Sequence, residues 1–423
     1  MKYIYLIITA LLLTACEDKL GSDQTTAESI LRVSLEMPEL PQGSHISNPI
    51  VTVYNITSQS SAIYSPESDI SLLPGLYDIS YSATLITTGK AASMLRGSKS
   101  AVQIIEPIVE VEIEVYNNID TDDLIISEIF FTGTLQSSGN TYIGDDYIKL
   151  YNNTDHVIYA DGLTIFESKF LTTEKRVYDP DIMADAMTVQ ALYTIPGNGT
   201  DVAVQPGEEL LICDTGIDHR VANPNSFDLS GADFEWYDVS STPKTMDIDG
   251  PVTNLDKWYC YTNSVWMLHN RGFKAYGIAR IPVDKETYLK DYYYTYNYTQ
   301  VTVAGEFPMT QSAYRLPNEW IVDVVNSSVE SVYAWNVSSA QLDCGWTGCG
   351  TTDNDKSRFF RSIRRKLLYI TDSGRVVLKD TNNSTEDFNR MCIPSEIERQ
   401  GTAYDAAGNK ATQQTYDGIT PMP

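Results

Sequence analysis

No apolar run in the 423-residue chain reaches the roughly 20 residues needed to cross a bilayer as a helix. Positive charge is scarce as well. Thirty Lys and Arg stand against 56 Asp and Glu, for a formal net charge of −26, which excludes nucleic acid or another polyanion held by the overall field. Cationic ligands, divalent metals and neutral glycans fit such a surface better. Only four scattered histidines are present and no Cys-x-x-Cys pair, so a zinc centre has little support in the sequence. The serine-hydrolase elbow, the paired-histidine zinc motif, the Walker loop and the dinucleotide-binding glycines are all absent. Sustained helical periodicity is rare, whereas 28 tyrosines and 11 phenylalanines favour strands. The ordinary apolar content excludes wholesale disorder.

The longest apolar stretch, Tyr3 to Leu13, follows Lys2 and ends in Leu13-Thr14-Ala15-Cys16. A positive start, a short greasy core and small residues make the layout of a secretory signal. The four residues ending at Cys16 resemble the lipobox of bacterial lipoproteins. That resemblance implies cleavage before Cys16, acylation of its thiol and new amino terminus, and an effectively permanent anchor. Glu17 and Asp18, next in line, resemble the export signal that carries Bacteroidota lipoproteins to the outer face of the outer membrane. The expected partner is therefore the outer membrane itself, with the rest of the chain facing the exterior.

Residues 1–15 are then the signal peptide and 16–27 a polar, lipidated tether. From 28 to 118 the text alternates with period two ("LRVSLEM", "PIVTVYNI", "VEVEIEV"), which predicts half-buried strands. Its "LPGLYDIS", with the Pro74-Gly75 turn, is similar to transthyretin-like and carboxypeptidase-regulatory β-sandwiches. These act as stalks or docking units. After the acidic link "NNIDTDD", the phrases "DLIISEIFFTG", "YIKLYNNT" and "DGLTI" resemble the lamin-tail domain, an immunoglobulin-like sandwich. A closing phrase, "RSIRRKLLYI" with "KDTNNSTEDF", comes much later. The expectation is an all-β chain: a small N-terminal sandwich, then a larger one over 124–398 with an insertion at about 223–350, and an extended tail over 399–423. Over its whole length the chain also resembles an uncharacterised family of Bacteroidota outer-membrane lipoproteins.

Five cysteines remain beside Cys16, an odd number, and Cys344 with Cys349 is the pair spaced to close a small disulfide loop. Acidic turns could supply oxygen to calcium, with Asp247, Asp249, Asp353 and Asp355 as candidate ligands, although they lack EF-hand spacing. The Asp120, Asp122 and Asp123 turn is of the same kind. In "DYYYTYNY", Tyr292, Tyr294, Tyr296 and Tyr298 fall on one face of a strand. They either pack on a second sheet or offer an aromatic platform to a ligand. Arg358, Arg361, Arg364, Arg365 and Lys366 form a basic island that compensates acidic neighbours or meets anionic groups. Ser241 and Lys244 fit Ser-x-x-Lys within a turn, and His269 reads as a satisfied turn histidine. The functional expectation is a non-catalytic binding or accessory subunit. Its place would be beside a TonB-dependent barrel that imports a nutrient or metal complex, with an adhesin or an unrecognised hydrolase as alternatives.

Overall fold

A computed structural model describes residues 28–401, apart from residues 56, 59, 89–92, 118–121, 241–247, 263 and 372. Cys16, Glu17, Asp18, Asp120, Asp247, Ser241 with Lys244, and the tail beyond 401 lie outside the described residues. Among those described, no helix is long and apolar enough to cross a membrane. The chain is all-β, with a few short helical turns.

The first unit is two sheets. One has five strands, in the order Ser60–Tyr64, Ser44–Asn55, Gly75–Thr87, Ser93–Ile104 and Tyr116–Asn117; the other pairs Ile70–Leu72 and Ile108–Glu114 on either side of Ser29–Glu36. Alternation explains the pairing. Along Gly75–Thr87, Tyr77, Ile79, Tyr81, Ala83 and Leu85 are buried while their neighbours are not, so one pleated face packs on Leu31, Val51 and Val111. Pro74-Gly75 turns the chain between two strands as read, and Tyr77 steadies it through a 2.8 Å hydrogen bond to the Leu73 carbonyl.

The second unit is a larger sandwich of two seven-stranded sheets. The first sheet runs Thr253–Asn254, Phe234–Glu235, Glu209–Cys213, Tyr147–Tyr151, Ile125–Phe130, Ser362–Arg365 and Phe388–Cys392. The second runs Tyr293–Thr302, Gly305–Pro317, Ala186–Thr194, Leu163–Ser168, Ala275–Arg280 and Ile321–Asn326, with Asp256–Cys260 also on Ala186–Thr194. Ile126, Ile129, Ile148 and Leu150 from one sheet meet Ile165, Tyr193, Tyr276 and Ile278 from the other. The late phrase pairs with the opening strand, Ile363 opposite Ile129. The stretch read as an insertion supplies Ala275–Arg280 and Ile321–Asn326, so its strands are part of the second sheet. Its turn-rich flanks hid that pairing, because partners so distant in sequence leave no local signal.

Candidate functional site: a charged cleft on the larger sandwich

Ile126 and Ile129 both face the core although they are three positions apart, an odd spacing that would put them on opposite faces of a regular strand. A bulge makes this possible: Lys149 lies opposite Glu128 and Leu150 opposite Ile126, leaving Ser127 as the extra residue. Glu128 and Lys149 therefore turn outward together. Arg364 lies opposite Glu128 on the other side, so lysine, glutamate and arginine form a row across three adjacent strands.

These charges stand at the wall of a cleft of about 1080 Å³. Lys149 is 7% exposed, and its ammonium binds Glu209 and Glu396, each at 3.1 Å. Burial alone would pull its pKa down. Glu209, Glu128 and Glu396 outweigh burial and hold it above the usual lysine value. Burial likewise pushes Glu396 up, and Lys149 and Arg399 bring it below the ordinary carboxylate range. Glu128 accepts from the Tyr147 hydroxyl at 3.0 Å, the Ser362 hydroxyl at 2.6 Å and the Ser395 amide at 3.0 Å. Arg364 bonds Glu398 at 2.6 Å. The rim carries Tyr151, Gly207, Ser373 and Gly374. Five carboxylates and five cations line the cleft, so its wall is balanced in a protein that is otherwise strongly acidic. Such a site offers hydrogen bonds in both directions without selecting either sign of charge.

The members of the basic island have different partners. Arg365 crosses to the second sheet, bonding Asp323 at 2.7 Å and Asp380 at 3.0 Å, while Arg358 donates to the Asn270 carbonyl at 2.9 Å. His269 is a turn residue: its amide donates to the Tyr276 hydroxyl at 2.7 Å and its Nδ1 accepts from the Phe273 amide at 3.4 Å. Burial, helped by Arg271 and Lys274, pushes its pKa down to about 4.

Three expectations are corrected. Tyr292 is not on the strand; it closes the helix Lys285–Asp291 and stacks on Tyr288. Tyr294 bonds Thr188, and Tyr296 and Tyr298, 1% and 9% exposed, pack on Phe170 and Tyr178. The chain before Asp179 folds over them and is tied down by backbone bonds between Asp179 and Asn297, so the stripe is covered and makes no open platform. Cys344 and Cys349 are both free thiols. The loop between them does not close on itself, because Thr347 pairs with the Asn326 and Ser328 backbones and the Trp346 amide bonds Thr385.

The acidic turns do not converge either. Asp353 pairs with Arg271 at 2.7 Å, Asp355 accepts from the Ser357 and Thr351 amides, and Asp249 accepts from Asn254. Asp123 is gripped by Arg280 at 2.7 Å. Each has a local partner that satisfies it without a metal.

The row itself escaped sequence reading, although a signal existed. Lys149 is the lone charge inside the strand "YIKLY" and Glu128 the lone charge inside "IISEIF"; a charge that interrupts a buried strand needs a buried partner.

Residues 205–395 match the model of a family described as a protein of unknown function, DUF4876. No curated protein matches the chain. The fold is similar to the crystal structure of a DUF4876 family protein from Bacteroides thetaiotaomicron, with a TM-score of 0.53 and 19% identity over 90% of this chain and 100% of that one. The chain thus shares an all-β fold with a Bacteroides protein of unknown function.

Proposed function

We propose that this chain is a surface lipoprotein that binds a neutral, hydroxyl-rich ligand and passes it to an outer-membrane importer without chemical change. The N-terminal sandwich, acting as a stalk, would hold the larger, lamin-tail-like one away from the bilayer. One observation carries the reading. The charged residues of the 1080 Å³ cleft are tied to one another, as Lys149 is to Glu209 and Glu396, and form a rigid, balanced wall. Rigid walls with convergent hydrogen-bonding groups suit recognition at small ordering cost. Purification of the membrane-anchored protein in mild detergent tests the partnership. An importer barrel should co-purify, and recovery of the lipoprotein alone, under conditions that keep barrel complexes intact, would refute it.

An adhesin is favoured by a different feature. The hairpin of Tyr293–Thr302 and Gly305–Pro317 ends in a tip where Val301, Val303 and Phe307 are exposed by 68%, 112% and 46%, with Glu306 its sole charge. An exposed apolar tip of this kind suits contact with another macromolecule.

A further inference from the structure

The floor of the charged cleft crosses strands. Arg364, Glu128, Lys149 and Leu211 stand on four neighbouring strands, Ser362–Arg365, Ile125–Phe130, Tyr147–Tyr151 and Glu209–Cys213, so the floor extends over three strand spacings, about 14 Å. It does not stop there. Residues 231–233 come back alongside Leu211 and are tied to it twice: the Leu211 amide donates to the Asp233 carboxylate at 2.8 Å, and the Asp233 amide to the Leu211 carbonyl at 2.9 Å. Beside this crossing lies a second hollow of about 470 Å³. Leu211, Gly231 and Arg399 line both cavities, and the two meet there. At Gly231 the passage is unobstructed, since a Cβ on that residue would find nothing within 4 Å.

The second hollow repeats the chemistry of the first. Arg220 is held by Asp218 at 2.7 Å and by Asp228 at 3.2 Å. Gln400 donates to the Asp228 carbonyl and accepts from the Asp228 amide, both at 2.8 Å, which fixes the end of the helix Ser395–Gln400 against this loop. Arg399 is bonded to Glu396 on the same helix, yet its side chain is 67% exposed, so its planar guanidinium has N–H donors left for either hollow. Both cations are answered by carboxylates, as Lys149 is in the cleft, and the second wall is balanced too.

Size decides what kind of ligand fits. Pockets for a drug-sized ligand run from about 300 to 1,000 Å³. The cleft alone, at about 1080 Å³, reaches the top of that range, and a single sugar ring would leave most of it empty. A compact ligand would fill one hollow and leave the other vacant, whereas a chain of like units meets the same balanced wall along its whole path. On the reading that the cleft takes a neutral, hydroxyl-rich ligand, we propose that this ligand is a linear oligomer. It is an uncharged glycan chain of several units that lies across the sheet in the cleft and passes Gly231 and Arg399 into the second hollow.

The test is calorimetry of the purified full chain with uncharged glucan and mannan oligosaccharides, each as a length series from disaccharide to hexasaccharide. In the series that binds, affinity should rise with length on the order of a hundredfold, the gain expected when two linked contacts replace one. Ser230 is exposed and lines the second hollow but not the cleft, so Ser230→Trp should remove that rise and leave the disaccharide affinity as in the parent. Gly231→Trp, a second block placed at the junction, should likewise cut the hexasaccharide affinity, and the unfolding temperature of each variant reports that it has folded. A parent that binds disaccharide and hexasaccharide equally, or folded variants that keep the full rise, would overturn the oligomer and leave the neutral-ligand reading standing. No binding by any member of either series would overturn that reading, and this inference with it.

Discussion

Lys149 stands opposite Glu128 in the ladder, yet its ammonium bonds Glu209 and Glu396, 3.1 Å from each. Glu396 belongs to the short helix Ser395–Gln400, beyond the last strand of the sheet. The pair therefore pins the end of the larger sandwich onto its outer face. Glu396 is 2% exposed, so removing Lys149 leaves its buried charge with the more exposed Arg399 as its remaining cation. Lys149→Met should cost about 3–5 kcal/mol in denaturant unfolding. In the double variant Lys149→Met with Glu396→Gln much of that should return, because no buried charge is then left alone.

If the cleft binds a neutral ligand, filling it should abolish binding without touching the fold. Ser373 lies exposed at its rim, and Ser373→Trp is expected to change stability by less than about 0.5 kcal/mol. Calorimetry with a panel of neutral oligosaccharides should show binding by the parent chain and none by the variant. Acidic oligosaccharides should bind neither.

Much of the architecture was legible because alternation is local. The buried residues of Gly75–Thr87 can be read from "GLYDISYSATLIT" alone. What the sequence hid is what partners at long range decide. Nothing within ten residues of Arg365 shows that Asp323 receives it, and nothing near Tyr296 shows that Phe170 and Tyr178 will cover it. The two disulfide candidates failed for the same reason, since a loop with two cysteines can close or can dock, and only Asn326, Ser328 and Thr385 decide which.

The tyrosine hairpin should divide into an energetic base and an inert tip. Tyr296 is 1% exposed and packs edge-on to Phe170 at 5.4 Å and to Tyr178 at 5.6 Å, so Tyr296→Ala should cost about 3–5 kcal/mol, the range of buried aromatic truncations. Phe307 lies further out along the same hairpin at 46% exposure, and Phe307→Ser should change stability by no more than about 0.5 kcal/mol. Urea unfolding of the two variants makes the comparison. If the adhesin reading holds, only the tip variant should lose attachment to matrix or glycan surfaces while keeping its fold.

All five cysteines beyond the N-terminal one are free thiols. A thiol reagent added in denaturant without reductant should therefore count five in a chain that starts at residue 28. In the folded protein Cys213, Cys260, Cys349 and Cys392 are buried and Cys344 is half-buried, so reaction should be slow and begin at Cys344. A count of three in denaturant would mean that one pair had oxidised.

Acid should loosen the protein through its buried histidines. His219 and His269 have folded pKa values pushed down to about 4, in each case chiefly by burial, against about 6.5 in an unfolded chain. A folded pKa below the unfolded one means that the unfolded chain takes up the proton first. The stability these rings contribute is thus complete above about pH 6.5 and is lost as the pH falls towards 4. For His219 the structural event is defined: protonation of Nδ1 removes the acceptor of the Tyr142 hydroxyl, which lies 2.7 Å away. His219→Gln can keep a hydrogen bond to Tyr142 and has nothing to titrate. It should flatten the fall in unfolding free energy between pH 6.5 and 4 by on the order of 1–3 kcal/mol, and an unchanged slope would show that His219 is charged in the folded chain.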